Sequence, residues 1–123
     1  MLFRSFSEMM GEDGIKLAKE LLHMYKKNST DLIDNIQETL NGQNSADLHR
    51  AAHTLKGNSS QVGAVRLSGL CFNLEQITQN GNRDGAQAVL DQIKVEFEKV
   101  ECAMEKVLQL SEPAWYAFDG KIN

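Results

Sequence analysis

One segment indicates most clearly which fold this chain adopts: Leu48-His-Arg-Ala-Ala-His-Thr-Leu-Lys-Gly-Asn-Ser-Ser-Gln-Val-Gly63. An α-helix advances about 100° per residue, so each side chain has a defined position around the axis. The small and apolar residues fall within about 60° of Leu48 and form one stripe. They are Ala51, Ala52, Leu55, Ser59 and Val62. The segment is therefore predicted to be an amphipathic helix with this stripe in a core.

His53 is predicted to face away from that core, because it lies about 140° from Leu48 around the helix. His49, Lys56 and Ser60 lie on the same outer face, at about 80–120°. Gly57 follows one turn after His53, and a glycine inside a helix costs roughly 0.5–1 kcal/mol relative to alanine. We interpret Gly57 as clearing the approach to the imidazole.

An outward imidazole beside an ammonium group suits reversible phosphorylation on nitrogen. Near neutral pH a histidine side chain is readily available as a nucleophile. A phosphoryl group brings roughly −1.5 to −2 charges, which Lys56 would partly offset. The segment has no nucleotide loop and no metal cage, so it is predicted to supply half of an active site and no kinase activity of its own.

Three stretches together resemble histidine-containing phosphotransfer domains, the intermediate carriers of multistep two-component phosphorelays. They are Ala52-His-Thr-Leu-Lys-Gly-Asn-Ser-Ser60, Val62-Gly-Ala64 and Leu70-Cys-Phe-Asn-Leu-Glu75. The resemblance covers roughly residues 13–110. It implies a four-helix bundle in which His53 accepts a phosphoryl group from one receiver-domain aspartate and passes it to another. It also implies that Lys56 supports the phosphate and that Gly57 gives clearance.

The sequence departs from the family pattern in the following helix. Some members carry a glutamine near the phosphohistidine, whereas the aligned position here is Glu75, followed by Gln76. Because a carboxylate would repel the phosphoryl group, we expect Glu75 to point elsewhere. We expect Gln76, together with His49 and Ser60, to belong to a docking surface for the receiver.

The rest of the chain is predicted to be all-α, because apolar residues recur at spacings of three and four and none alternates over a strand length. Helices are expected near 13–40, 45–62, 67–77 and 86–108, and a short additional helix near 2–10. Between 28 and 31 the poor helix formers leave open a straight, bent or divided helix. The four longer helices predict an up-and-down bundle with the short helix across one end.

Composition indicates one domain spanning 1–123, with its core in about 13–110 and a tail at 111–123 that packs back or stays flexible. The chain has 13 basic and 17 acidic residues and a formal charge of −4, which argues against nucleic-acid binding. It has no apolar run long enough for a membrane span. Cys71 and Cys102 have apolar neighbours and are expected to be buried, reduced thiols in a cytoplasmic protein.

Three other interpretations compete with the phosphocarrier. His49 and His53, four residues apart, resemble a helical metal-binding pair, but no further ligand has matching spacing and Lys56 would repel a cation. The chain is alternatively a phosphoacceptor domain cut from a chemotaxis-type or hybrid kinase, or a helical adaptor without chemistry. We predict a monomeric carrier without a cofactor, bound transiently by receiver domains that hold the Mg²⁺ themselves.

Overall fold

Four α-helices contain most of the residues that the structure describes. They are α1 (Glu12–Asn41), α2 (Ser45–Gln61), α3 (Val65–Thr78) and α4 (Ala86–Leu108). The computed structural model describes residues 12–42, 45–79 and 82–109, and these ranges contain no strand. The predicted all-helical class is therefore confirmed for them. The predicted helix near 2–10 and the tail 111–123 lie outside the described residues.

Helix α1 runs without interruption through the poor helix formers at 28–31. Ser29 is buried, and the hydroxyl of Thr30 donates a hydrogen bond of 2.9 Å to the main-chain carbonyl of Lys26. Such a bond back to the preceding turn lets a threonine remain inside a helix. The sequence left open whether this helix is straight, bent or divided in two, and the structure has one continuous helix.

The helices pack in a closed order around one apolar core. Helix α1 contacts α2 and α4, and α3 contacts the same two helices. The predicted stripe of α2 is buried, including Leu48, Leu55 and the polar Ser59. Ser59 Oγ lies 2.8 Å from the hydroxyl of Tyr25, so a buried hydrogen bond joins α2 to α1. This packing fixes the rotation of α2 and thereby turns its opposite face outward.

Two glycines provide left-handed backbone at the helix junctions. Gly63 has φ 83° between α2 and α3, where the main-chain N–H of Ala64 bonds to the carbonyl of Ser59 at 2.9 Å. Gly85 has φ 80° and immediately precedes α4. Glycine adopts this conformation without the steric cost that a Cβ imposes. The short turn at Gly63 sets α2 and α3 side by side.

The two cysteines differ in exposure, and one prediction about them was wrong. Cys71 is buried in α3, whereas Cys102 is exposed on α4. Around α4, Cys102 lies about 200° from Val100 and so opposite the buried stripe of that helix. Its apolar neighbours in the sequence therefore face the core while its own thiol does not.

Among the described helices, none is both long and apolar enough to span a membrane.

Candidate functional site

Helices α2 and α3 bring three ionisable side chains together at one carboxylate. Nδ1 of His53 lies 2.5 Å from Oε2 of Glu75. Nζ of Lys56 donates to the other oxygen, Oε1, at 2.6 Å. His53 and Lys56 are three residues apart and therefore share one face of α2, as the sequence predicted. Glu75 reaches them from α3, and its side chain is 9% exposed.

The expectation that Glu75 points elsewhere was wrong. Burial raises the pKa of its carboxyl, but hydrogen bonds from Lys56 and His53 and the charges of these groups outweigh burial and hold the pKa below its ordinary value. The carboxylate is thus ionised near neutral pH. Repulsion of a phosphoryl group does not turn Glu75 away, because Lys56 and the N–H group of His53 already bind its two oxygens.

The hydrogen bond to Glu75 decides which nitrogen of His53 is nucleophilic. An ionised carboxylate only accepts hydrogen bonds, so Nδ1 of His53 must carry the proton. In a neutral ring Nε2 then keeps its lone pair. The side chain is 64% exposed, and Nε2 has no hydrogen-bond partner among the described residues. The outward orientation predicted for His53 is therefore present, with one nitrogen held and the other free to react.

Lys56 is held in place by two contacts. Besides its bond to Glu75, Nζ lies 5.4 Å from the centre of the Phe72 ring, within the range of a cation–π interaction. The lysine side chain is only 27% exposed. Phe72 is itself exposed on α3, and sequence reasoning did not single it out. Its position around the helix, well away from the apolar stripe of α3, is the sequence signal that could have indicated an exposed ring.

His49 makes two approaches to Glu75 from one turn before His53. Its Nδ1 lies 3.2 Å from the main-chain oxygen of Glu75, and its Nε2 lies 3.7 Å from Oε2. An open cleft of about 650 Å³ borders both histidines, Arg50 and Glu75. His49 therefore belongs to the carboxylate cluster as well as to the surface on which the sequence had placed it.

The other predicted site residues lie around this cluster. A Cβ built on Gly57 would meet no atom within 4 Å, so the helix surface is open there. Ser60 Oγ lies 2.6 Å from Ser68 Oγ, and the Ser68 hydroxyl donates to the main-chain carbonyl of Lys56 at 3.2 Å. Gln76 is exposed on α3, next to Glu75. Ser60 thus fastens α2 to α3 beside Lys56 and is not a free hydroxyl.

No group of three or more His, Cys, Asp or Glu side chains in the described part of the chain is arranged to hold a metal ion. His49 and His53 do approach one carboxylate oxygen. However, Lys56 contributes an ammonium group to the same carboxylate, and its positive charge would repel a metal cation.

Residues 20–103 match the model of the Hpt domain, and the chain belongs to this family. It is 26% identical over 113 residues to Histidine-containing phosphotransfer protein 4 of Arabidopsis thaliana, covering 89% of this chain and 88% of the relative. It is 23% identical to Histidine-containing phosphotransfer protein 2 of the same plant, covering 89% of this chain and 72% of the relative.

A solved structure has the same fold. The crystal structure of histidine-containing phosphotransfer protein B (HptB) from Pseudomonas aeruginosa PAO1 is similar with a TM-score of 0.78 and 28% sequence identity. The similarity covers 88% of this chain and 90% of that one. Carrying a phosphoryl group on histidine within a phosphorelay is therefore the function of the chain, and the resemblance seen in the sequence is confirmed.

Proposed function

We propose that His53 is the residue that accepts the phosphoryl group, from an aspartyl phosphate of one receiver domain, and passes it to an aspartate of another. One observation carries this proposal: the exposed His53 ring has Nδ1 bonded to Glu75 and Nε2 without a partner among the described residues. His49 is less exposed, at 38%, and both of its nitrogens face Glu75. Its ring is therefore the poorer candidate.

The transfer step conserves protons on the carrier. The Nε2 lone pair of His53 attacks phosphorus, and the N–P bond forms as the bond from phosphorus to the aspartate oxygen breaks. The aspartate leaves as a carboxylate with the bonding electrons. Nδ1 keeps its proton, and Glu75 stabilises the positive charge that develops on the ring. The second transfer is the reverse of this step toward a different aspartate.

Lys56 and Gly57 have separate roles in this proposal. Lys56 uses one N–H to hold Glu75. Its single positive charge balances that of the carboxylate, and its remaining N–H groups can donate hydrogen bonds to the incoming phosphoryl oxygens. Gly57 leaves the surface beside the ring open, which lets the backbone of a partner approach. Phosphoryl transfer depends mainly on such alignment and charge compensation.

The docking surface that we propose consists of His49, Ser60, Phe72 and Gln76 around His53. The exposed Phe72 ring supplies apolar area beside Lys56. Local charge supports an acidic partner. Helices α2 and α3 carry three basic residues against Asp47 and Glu75, a formal charge of +1 in a chain of −4. The aspartate-bearing pocket of a receiver fits this charge, and a small contact of this type suits a transient complex.

We propose that the four helices form an up-and-down bundle with a short additional helix near 2–10, and that 1–123 is one domain acting as a monomer in the cytoplasm. The closed packing order of the helices supports the bundle. The carrier needs no cofactor, because the receiver domain brings the Mg²⁺ and much of the charge stabilisation.

A transfer assay with three proteins tests this proposal. A receiver domain carrying labelled aspartyl phosphate is mixed with the wild type, with His53→Ala and with His23→Ala. We expect label that is acid-labile and base-stable on the wild type and on His23→Ala, and none on His53→Ala. His23 is an exposed histidine of α1 and serves as the matched control. Label on His53→Ala, or no transfer from any of several receivers, would overturn the proposal.

A further inference from the structure

The aromatic ring of Phe72 lies against the ammonium group of Lys56, on the surface shared by α2 and α3. Nζ of Lys56 lies over this ring, 5.4 Å from its centre, and donates to Oε1 of Glu75 at 2.6 Å. Phe72 and Glu75 are three residues apart and therefore share one face of α3. Two side chains of one helix thus hold the end of a lysine that belongs to the other.

The two contacts restrict Lys56 in different ways. The hydrogen bond to Glu75 fixes one N–H, but the flexible four-carbon stem can still pivot about that oxygen. The face of an aromatic ring attracts a cation within about 6 Å of its centre, and more strongly where the cation is shielded from water. The lysine side chain is only 27% exposed, so its ammonium group meets the ring in a partly shielded position. Phe72 therefore removes positions of Lys56 that the contact with Glu75 alone would allow.

We propose that Phe72 is a positioning residue for phosphotransfer, which acts by keeping the Lys56 ammonium group in place for the incoming phosphoryl oxygens. This inference rests on the roles proposed for His53 and Lys56. Because both of these residues bond to Glu75, an ammonium group held at this carboxylate is also held close to the reacting ring. A group that is already aligned loses little freedom when the transition state forms, so transfer is faster.

This role differs from the supply of apolar area for docking. Phe72 is 47% exposed, so the ring can contact a receiver as well as Lys56. Apolar contact changes how tightly the receiver binds, whereas the alignment of Lys56 changes the rate of transfer within the complex. Leucine at this position retains apolar area but has no ring face for a cation, and tyrosine retains both.

Single-turnover transfer from one labelled receiver, at increasing concentrations of the carrier, separates the two effects. We expect Phe72→Leu to lower the rate at saturating carrier by about two- to fivefold, and Phe72→Tyr to stay within about 1.5-fold of the wild type. Val95→Ala shortens an exposed apolar side chain of α4 and should leave this rate unchanged. A loss in Phe72→Leu that appears only in the half-saturating concentration would overturn the inference. An equal loss of rate in Phe72→Tyr would do the same.

A double-mutant cycle with Lys56→Met shows whether the ring acts through the lysine. Methionine keeps an unbranched side chain without the ammonium group, so Phe72→Leu should lower the saturating rate no further in that background. An equal loss with and without the lysine would overturn the inference about Phe72 but leave the role of His53 intact. Label on His53→Ala would instead refute the underlying function.

The resting protein provides a second readout that needs no receiver. Protons above the face of an aromatic ring are shifted upfield by its ring current, so the Cε protons of Lys56 should show such a shift in the wild type. Phe72→Tyr should retain the upfield shift, and Phe72→Leu should lose it. Identical Lys56 shifts in the wild type and in Phe72→Leu would show that the ammonium group does not occupy the ring face, and the inference would fail.

Discussion

The carboxylate of Glu75 lies 2.5 Å from Nδ1 of His53, across the contact between α2 and α3. The two residues are 22 positions apart in the sequence, and the glutamate side chain is almost completely buried. Lys56 occupies the other carboxylate oxygen, so the negative charge beside the reacting ring is compensated before any phosphoryl group arrives. The ring is held by one nitrogen and exposed at the other.

Replacing Glu75 should slow phosphotransfer. In Glu75→Gln the side chain still accepts a hydrogen bond but has no charge, and we expect the transfer rate to fall by about tenfold. In Glu75→Leu both effects are lost, and a fall of roughly 100-fold is expected, as for other residues that orient a reacting histidine. Single-turnover transfer from a labelled receiver measures both. Rates within twofold of the wild type in both variants would contradict the role assigned to Glu75.

The Glu75 cluster should also make the fold less stable in acid. The pKa of Glu75 lies below its ordinary value of 4.5, so the unfolded chain binds this proton more readily than the native protein does. Stability is therefore greatest above about pH 4.5 and is lost as the pH falls through the lower native pKa. Urea unfolding between pH 7 and 3 should show a smaller loss in Glu75→Gln. The exposed Glu98→Gln serves as control and should keep the wild-type loss.

Gly57→Ala should change stability and transfer in opposite directions. A Cβ at this position meets no atom within 4 Å, so alanine should stabilise α2 by about 0.5–1 kcal/mol. The same methyl group lies beside His53, and we expect it to hinder the receiver and slow transfer. Gly69, inside α3, is equally open and provides the matched control. Urea unfolding should show similar gains for both alanine variants, with the larger loss of transfer at Gly57. Equal transfer rates would argue against clearance.

Tyr25→Phe should destabilise the fold without affecting the chemistry. The Tyr25 hydroxyl lies 2.8 Å from Ser59 Oγ in the core, on the side of α2 opposite His53. Removing it leaves a buried hydroxyl without this partner, which costs about 1–3 kcal/mol. Adding Ser59→Ala should cost less than the sum of the two single changes, because the pair acts as a unit. Thermal unfolding measures the stability, and an altered transfer rate in the folded variant would contradict the separation.

Much of the fold could be predicted from the sequence, because apolar periodicity fixes which face of each helix is buried. The stripe from Leu48 to Val62 gave the rotation of α2 and therefore the exposure of His53. The periodicity of α4 likewise places Cys102 outside the core. The prediction that Cys102 is buried relied on its apolar neighbours in the sequence, which do not determine the helix face that it occupies. Whether α1 continues through Ser29 and Thr30 could not be predicted in the same way, because the burial of Ser29 against the other helices is a property of the packed structure.

The site itself was only half predictable. His53, Lys56 and Gly57 lie on one helix, so their relative positions follow from helix geometry alone. The position of Glu75 depends on how α3 is rotated and advanced against α2, and no periodicity within one helix contains that information. His49 was recognised as a surface residue, but its contact with Glu75 has the same origin and was missed. The residues of α2 were thus predictable, and their partners on α3 were not.

The turn at Gly63 has a consequence for how the site is assembled. Because only a few residues separate α2 from α3, His49, His53, Lys56 and Glu75 all belong to one helical hairpin, and a short loop suffices to join them. Loop-closure entropy grows with the length of chain enclosed, so these contacts are among the less costly tertiary contacts to form. Helices α1 and α4 supply apolar support for that hairpin, and none of their described side chains bonds to the carboxylate. Sequence change in those two helices can therefore alter stability while the connectivity of the reacting groups stays the same.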